Sequence, residues 1–374
     1  ANPESGAEAR LVCKRDPGLP YDPFANIRQA SSVNSGELFP ESHYYRLEAT
    51  DVTGNVWTNP AVMLKVDHRA NAEILAFTCD YIEAEIAAQG TAEFAHFVFS
   101  DDLDFPLNIP TTSKELVRGQ ERVMFKPTLS SGVVSGMQTH YHKCSADKGA
   151  QAFEFVALAV AGQPAPEGFD ERLLESIRFS SATMASPVMS EVSRAGLRVI
   201  RLAKATPLNN GMVSPPLLGS GASQDFYRLM GCYYDYACQN VVGDNGAPLS
   251  AKLGGLFTLK CVWLETIALL LCVATEGILE DPLFKPLGKP KSSLLGLIKD
   301  LFNWVKKAPV EESLRQRALS AMGSMKANRA VDKMYALAKA GAIDEGDIAS
   351  WKFLRNPSAH GSFEVQADKL QELL

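Results

Sequence analysis

The sequence predicts an α+β protein in which an antiparallel β-rich domain, of the sandwich or barrel type, precedes an all-helical domain. Three observations support this class. Between Ser42 and Lys204, short β-branched and aromatic runs alternate with turn residues. A stretch rich in Pro, Gly and Asn follows at Thr206–Ser223. Beyond it, apolar residues recur at helical spacing.

We therefore expect an irregular arm at residues 1–40, a β-rich domain at 41–205, a linker at 206–222 and a helical domain at 223–374. A chain of 374 residues accommodates two domains, at roughly 100–200 residues each. Hydrophobic residues make up 46% of the chain and charged residues 21%. This composition supplies a core and excludes global disorder.

The expected strands of the β-rich domain are short and separated by breakers such as Thr53-Gly54-Asn55. They are HYYRLEATDVTGNVWT, VMLKVDH, AEILAFTCDYIEAEI, EFAHFVF, RVMFKPTL, GVVSGMQTHYHKC, AFEFVALAV, IRFSSATMA and LRVIRLA. Many short strands at this spacing predict an antiparallel fold.

The helical domain is expected to contain seven helices. They are Ser223–Asn240, Lys252–Leu279, Ser292–Lys307, Val310–Lys326, Asn328–Ala340, one through IASWKFL capped by Asp344 or Asp347, and a closing helix at Val365–Leu374. The most apolar stretch, TIALLLCVAT, has 10 residues. Because a bilayer needs about 20, we expect a buried core helix here and no membrane partner.

Charge is distributed unevenly between the two halves. The net charge is -6, which excludes a uniformly basic nucleic-acid binder. From Ser223 onward there are 18 basic and 17 acidic residues, against 19 and 26 in the rest of the chain. Within Lys285–Lys339 there are 12 basic and 4 acidic residues. This band is either a polyanion-facing surface or, more commonly for such a pattern, the solvated faces of three amphipathic helices.

The cysteines predict a reduced, cytoplasmic protein. There are seven, scattered and without a CxxC pair, which does not suit a secreted disulfide scaffold. Four in apolar helical stretches are expected to be small buried hydrophobes: Cys232, Cys238, Cys261 and Cys272. P-loop, dinucleotide, HExxH and GxSxG motifs do not occur, so the reactions that depend on those motifs have no support.

The segment WKFLRNPSAHG at residues 351–361 carries the most chemical information. Ile348, Trp351 and Leu354 are at helical spacing and place Arg355 at the end of an amphipathic helix. Asn356 followed by Pro357 predicts a helix break and the start of a new turn. We therefore expect the motif to flank a break between helices.

An arginine and a histidine beside one break provide two parts of phosphodiester cleavage. The Arg355 guanidinium can grip a phosphate and stabilise its charge. The His360 imidazole can take the proton of a ribose 2′-OH or protonate the leaving oxygen. Such internal attack restricts the substrate to RNA and requires no metal or cofactor. Asn356 can orient the histidine or bind a phosphate oxygen.

The run from Arg355 to His360 resembles the RxxxxH motif of HEPN domains, and Asn356 after the arginine is typical of their ribonuclease branch. The resemblance covers about Ser223–Leu374. It implies a helical bundle that forms a homodimer, with two motifs in one composite cleft. It also implies metal-independent endoribonuclease activity on RNA, with Arg355 and His360 as catalytic residues and Asn356 in support.

The domain order, with a β-rich domain before a HEPN domain, looks like the ApeA type of abortive-infection protein. That likeness implies a regulated toxin in anti-phage defence, whose β-rich domain senses a phage-derived trigger or regulatory ligand. The alternative is a catalytically silent HEPN-like dimer, in which Arg355 and His360 cap a helix junction. Its β-rich domain would then bind a ligand or a protein partner.

Four further patterns have a functional and a structural interpretation. If MQTHYHKCS is a strand, one face holds His140, His142 and Cys144, although a strand face with two histidines is commoner than a metal site. Glu265 and Glu276 interrupt the apolar helix and lie near one face of it. Either one of them points into the HEPN cleft and tunes the histidine, or they serve in capping or in pairing with Lys260.

Aromatic residues after the linker either stack on RNA bases or, as is commoner at helical spacing, form a core or a dimer interface. They are Phe226, Tyr227, Tyr233, Tyr234 and Tyr236. Trp57, near Tyr44 and Tyr45, is either part of a ligand-binding surface or, more commonly, a core residue.

Overall fold

A computed structural model confirms the α+β class, with an antiparallel sheet followed by a helical region. It describes residues 7–13, 44–69, 72–88, 90–117, 120–145, 151–159, 164–206, 222–241, 246–257, 264–288, 292–325 and 329–360. The chain divides into two compact units, residues 1–246 and 247–374. The boundary therefore lies after the first helix of the expected helical domain rather than before it.

Among the described residues of the N-terminal unit, twelve strands join in one sheet, and each strand pair is antiparallel. They are β1 (Ala7–Cys13), β2 (Tyr44–Thr50), β3 (Val56–Arg69), β4 (Ala72–Cys79), β5 (Tyr81–Ala87), β6 (Phe94–Phe99), β7 (Ile109–Val117), β8 (Gln120–Val134), β9 (Met137–Ser145), β10 (Gln151–Leu158), β11 (Met189–Arg194) and β12 (Leu197–Ala203). The arm expected at 1–40 thus contains a strand, β1, which pairs with β4 from Glu73 to Cys79.

The strand order is β1-β4-β3-β5-β12-β11-β6-β10-β9-β8-β7, and β2 pairs with β3. β4 and β5 continue one another across Asp80, because both pair with β3 in one register. β1 lines the β4 half of this ribbon and β12 the β5 half. Long hairpins therefore extend the sheet at its ends. The central strands β11, β6, β10 and β9 contribute side chains to the hydrophobic core.

Two helices cover one face of the sheet. They are α1 (Phe169–Ser181) and α2 (Ser223–Gln239). α1 packs on α2, and α2 packs on β8. The core joins alternate residues of β6 and β10, such as Phe97, Phe99 and Phe155, to helix residues such as Leu173 and Ile177. The sheet and these two helices therefore share one hydrophobic core.

α1 corrects the strand expected at IRFSSATMA. Phe169, Leu173 and Ile177 recur every four residues and are fully buried, which is the apolar stripe of a helix. Asp170 and Glu171 occupy its first turn and Arg178 its last, as the helix dipole favours. The β-branched and aromatic content of the segment obscured this helical period.

The C-terminal unit is all-helical in its described residues. Its helices are α3 (Pro248–Phe257), α4 (Leu264–Leu279), α5 (Ser292–Lys307), α6 (Glu312–Ser324), α7 (Ala330–Lys339) and α8 (Glu345–His360). The helix expected at Lys252–Leu279 is described as two helices, and the expected closing helix at Val365–Leu374 lies outside the described residues. α8 packs on α4 and α7, and α5 packs on α6.

The apolar helix α4 is buried on one side only. Ile267, Ala268 and Cys272 are buried, whereas Leu269 and Val273 are exposed, so the expectation of a buried core helix holds for one side of the helix and fails for the other. In the part of the chain that the structure describes, no helix is both long enough and apolar enough to cross a membrane. Cys232 is exposed as well, which contradicts its expected burial.

Candidate functional site

A groove of about 560 Å³ in the C-terminal unit brings Arg355 together with other charged residues. It is lined by Glu276, Gly277, Glu280, Arg329, Ala330, Val331, Trp351, Lys352 and Arg355. These residues belong to α4, to the start of α7 and to α8. Three helices that pack on one another therefore position the groove.

Arg355 is anchored at this groove by Glu276. Its Nε donates to Glu276 Oε1 at 2.6 Å, and its guanidinium carbon lies 5.9 Å from the Trp351 ring centroid. The Arg355 side chain is 44% exposed. Of the two glutamates expected near the cleft, Glu276 therefore lies at the candidate site. The side chain of Glu265 and the whole of Lys260 lie outside the described residues.

Two more cations stand at the groove, each with a partner. Arg329 makes a two-point contact with Asp332, from Nε and Nη2 at 3.0 and 3.1 Å. Lys352 Nζ lies 2.9 Å from the Tyr335 hydroxyl and 4.8 Å from the centroid of that ring. The groove lining therefore contains three cationic side chains, each held in place by a neighbouring side chain, together with the carboxylates of Glu276 and Glu280.

Beneath the groove, Lys333 ties α7 to the end of α4. Its ammonium is buried and donates to the Leu279 carbonyl at 2.6 Å and to Glu280 at 3.2 Å. A buried ammonium is stable only with such partners. Lys333 was counted in the predicted basic band, yet its charge serves the packing of the unit.

α8 runs without a break from Glu345 to His360, so the expected break at Asn356-Pro357 was wrong. A helix tolerates an internal proline when its other contacts outweigh the lost hydrogen bond. Residues five apart in a helix are about 140° apart around the axis, which places Arg355 and His360 at different faces. The side chains of Asn356 and His360 lie outside the described residues.

Cys272 and Trp351 pack beside the ion pair. Burial, and next the charge of Glu276, raise the pKa of the Cys272 thiol to about 11, whereas Arg355 acts in the opposite direction. Cys272 is therefore protonated at neutral pH and is a poor nucleophile. Its Sγ lies 3.9 Å from the Trp351 carbonyl oxygen, so its role is in packing.

The histidine pair of the N-terminal unit lies on a strand, as expected. β9 includes His140 and His142, which stand opposite Val156 and Glu154 of β10. The side chain of Cys144 lies outside the described residues. Within the described ranges, no three His, Cys, Asp or Glu side chains gather as a metal site would require.

The aromatic cluster of α2 belongs to the core of the N-terminal unit. Phe226, Tyr227, Tyr233 and Tyr234 are all buried. Phe226 meets Phe105 edge-on, at 4.9 Å between ring centroids. The structural interpretation is therefore confirmed for these four residues. Trp57 is half-buried, and its Nε1 donates to Asp51 at 3.0 Å.

A second cavity, of about 860 Å³, lies in the N-terminal unit. Strands β5, β11 and β12 line it together with α1. On the strand wall, Arg201 of β12 pairs with Glu83, which stands opposite it on β5, with Nη2 and Oε2 2.6 Å apart. Burial raises the pKa of Asp170 on the helix wall. Its charged side chains are balanced in sign: Asp80, Glu83, Asp170, Glu171, Arg178, Arg194, Arg201 and Lys204.

Sequence reasoning identified Arg355 but not Arg329 or Lys352. The signal for Lys352 was present, because it is three residues before Arg355 and so faces a similar direction. Arg329 comes from another helix, and only tertiary packing places it here.

No family model, no curated protein and no solved structure matches this chain, so the functional argument rests on the geometry of the groove.

Proposed function

We propose that the C-terminal unit is a metal-independent endoribonuclease of the HEPN type, in which Arg355 binds the scissile phosphate and His360 moves the proton. One observation carries the proposal. The Arg355 guanidinium is exposed at a groove and is oriented by Glu276 through Nε. A guanidinium has five N–H donors. When the Nε donor is engaged by Glu276, the four N–H donors on Nη1 and Nη2 remain and can bind two phosphate oxygens.

The substrate supplies its own nucleophile. The ribose 2′-OH attacks the adjacent phosphorus, and the bond from phosphorus to the 5′-oxygen breaks. A base removes the 2′ proton, and an acid protonates the leaving 5′-oxygen. The products are a 2′,3′-cyclic phosphate and a 5′-hydroxyl, so neither water nor a metal ion enters this step. Arg355 stabilises the charge on the phosphate oxygens.

His360 is assigned the proton transfer because imidazole titrates near neutral pH. Arg355 and His360 stand at different faces of α8, so one helix alone does not present both to one phosphate. We propose that two chains form the composite cleft that the HEPN resemblance implies. Asn356 is four positions before His360 and shares its face of the helix, where it supports the histidine.

We further propose that the N-terminal unit regulates this activity, as in an abortive-infection toxin. An unrestrained ribonuclease harms its own cell, so a regulator is required. The N-terminal unit is folded around its own core and is available for this role. Its cavity offers a place for a phage-derived trigger or a regulatory ligand.

The test is cleavage of RNA by the purified protein in the presence of EDTA. We expect Arg355→Ala and His360→Ala each to lower the rate by about 100-fold or more, because each removes a transition-state contact. Glu276→Gln should also slow cleavage, while its cost in stability stays below about 1 kcal/mol because the ion pair is partly exposed. The diagnostic product is a cyclic phosphate end.

Arg228→Ala is the matched control. Arg228 is largely exposed and pairs with Asp225 in the N-terminal unit, so its loss should leave cleavage unchanged. Undiminished cleavage by the His360→Ala protein would contradict the assignment.

The second candidate is a binding protein with a silent helical unit, favoured by the cavity beside α1. The same RNA experiment separates the two candidates. RNA that stays intact under every activating condition supports the binding protein, and cyclic phosphate ends support the nuclease.

A further inference from the structure

The hairpin formed by α5 and α6 exposes an apolar surface. The two helices pack on each other and are joined by residues 308–311. We call this surface the hairpin face. It consists of Leu294, Leu297, Leu301 and Trp304 on α5, and Leu314, Ala318, Ala321 and Met325 on or directly after α6.

The large members of the hairpin face are open to solvent. Leu297 is 68% exposed and Trp304 67% exposed. Ile298 of α5 and Met322 of α6 are buried instead. The hairpin therefore satisfies only part of its apolar surface internally. A contiguous apolar surface of this kind marks an interaction site.

The spacing of the face indicates what covers it. Its α5 residues follow steps of three, four and three, and its α6 residues follow steps of four, three and four. This is the a and d pattern of helices that pack on other helices. The residues of the face span about 80° of α5 and about 60° of α6, which is the width of a stripe that packs on other helices. The fitting partner is therefore helical.

Both stripes lie on one side of the hairpin. At about 100° per residue, Ile298 is about 80° around α5 from the centre of its stripe. Met322 is about 70° around α6 from the centre of its stripe, in the same sense along the chain. A short connection makes the two helices antiparallel, and Ile298 and Met322 are the buried residues of the two helices. Because the helices run in opposite directions, similar rotations in the same sense along each chain place both stripes on the same side of the hairpin.

We propose that two copies of this chain pair their hairpin faces to form a four-helix bundle, with the twofold axis parallel to the helices. In this arrangement α5 of one copy lies against α6 of the other. Each copy uses the same surface, as a twofold interface requires. The bundle then buries the stripes that the single hairpin leaves exposed.

The two stripes are complementary in size. In this bundle the α5 centre, Leu297 and Leu301, meets the α6 centre, Ala321 and Ala318, of the other copy. Large residues thus face small ones, the arrangement that fills a helical core without voids. At the bundle ends, Leu294 meets Met325 and Trp304 meets Leu314 across the interface. A partner with leucines at both centres would not fit.

The charges at the rims are complementary as well. Asp300 stands on the rim of the α5 stripe and Arg317 on the rim of the α6 stripe, at opposite edges of one hairpin. Both residues are exposed. The twofold axis brings Asp300 of each copy alongside Arg317 of the other. Such flanking charges select partner and orientation in helical pairs.

The hairpin face lies on α5 and α6, whereas the groove lies on α4, α7 and α8. The composite cleft of the proposed nuclease also needs two chains, so a protein that stays monomeric would contradict both proposals. A dimer that does not respond to Leu297→Glu would contradict only the hairpin interface, and RNA that stays intact in the presence of a normal dimer would contradict only the nuclease.

The experiment is sedimentation velocity of the full-length protein over a wide range of concentration. We expect a reversible dimer, and Leu297→Glu should raise its dissociation constant at least about tenfold, because a charge would be buried against alanine. Leu295→Glu is the matched control. Leu295 is an exposed leucine of the same helix but lies off the stripe, so this change should leave the dissociation constant within about threefold.

Charge reversal tests the pairing without altering the apolar core. Asp300→Arg and Arg317→Asp should each weaken the dimer, and the double variant should restore it. Any of three results would overturn the proposal. The wild-type protein could stay monomeric at every concentration, or Leu297→Glu could leave the dissociation constant of the dimer unchanged. The third is a double charge-reversal variant whose dimer is as weak as those of the single variants.

Discussion

At the scale of single residues, close approach explains why certain positions accept one amino acid. Gly132 on β8 lies directly under the ring of Tyr227 on α2. A Cβ at Gly132 would come within 2.1 Å of Tyr227 Cγ, far inside van der Waals contact. The Tyr227 hydroxyl also donates to Ser130 at 2.8 Å. Glycine here allows the helix to approach the sheet closely.

Gly132→Ala should therefore destabilise the N-terminal unit by about 1–3 kcal/mol, because the helix or the ring must shift. Urea unfolding of the full-length protein, followed by tyrosine fluorescence, measures the change. Gly90→Ala is the control, since nothing lies within 4 Å of its added carbon. Equal stability of the two variants would show that α2 does not approach β8 this closely.

At the scale of elements, α8 shows that local preference does not decide where a helix ends. Pro357 disfavours the helical conformation at Asn356, yet the helix continues to His360. Upstream, α8 is fixed to the unit by buried Ile348 and Leu354. These apolar contacts extend the helix to the start of the motif.

A continuous α8 has a consequence for Pro357. Pro357→Ala supplies an N–H to the helix and should raise the free energy of unfolding of the C-terminal unit by about 1–3 kcal/mol. If Pro357 instead opened a new helix, as the sequence pattern predicts, the same change would be neutral or destabilising. Thermal unfolding measures the sign. Pro309→Ala, in the connection between α5 and α6, should give no gain.

At the scale of the whole molecule, the unit boundary decides which residues complete which core. Phe226, Tyr227, Met230 and Tyr234 of α2 belong to the core cluster of the sheet. The sequence pattern assigns α2 to the helical domain, because it is the first helix after the linker. The structure assigns it to the N-terminal unit.

A fragment of residues 1–246 should therefore unfold cooperatively, whereas a fragment of residues 1–222 should not. The shorter fragment loses four large buried side chains, each stabilising by roughly 1.5–3 kcal/mol, which is comparable with the whole stability of a domain. Circular dichroism during heating distinguishes them. A cooperative transition in the shorter fragment would refute the role of α2 in this core.

Much of the fold follows from periodicity. Alternation along β6 and β10 and the four-residue recurrence in α5 are local signals, so the α+β class and the bounds of α5 could be predicted. α1 was missed because Ile177 and Phe179 also suit a strand. For the candidate site, the motif at Arg355 was visible, since its residues are neighbours in the chain.

The sequence by itself therefore determined the fold class, the basic band at Lys285–Lys339 and the position of Arg355 on an amphipathic helix. Only the tertiary structure decided that Glu276 anchors Arg355, that Arg329 joins it at one groove, and that α2 completes the sheet's core. The physical reason is distance along the chain. Periodicity reports which face of an element is buried, but the partner of that face is chosen by packing among elements far apart in sequence.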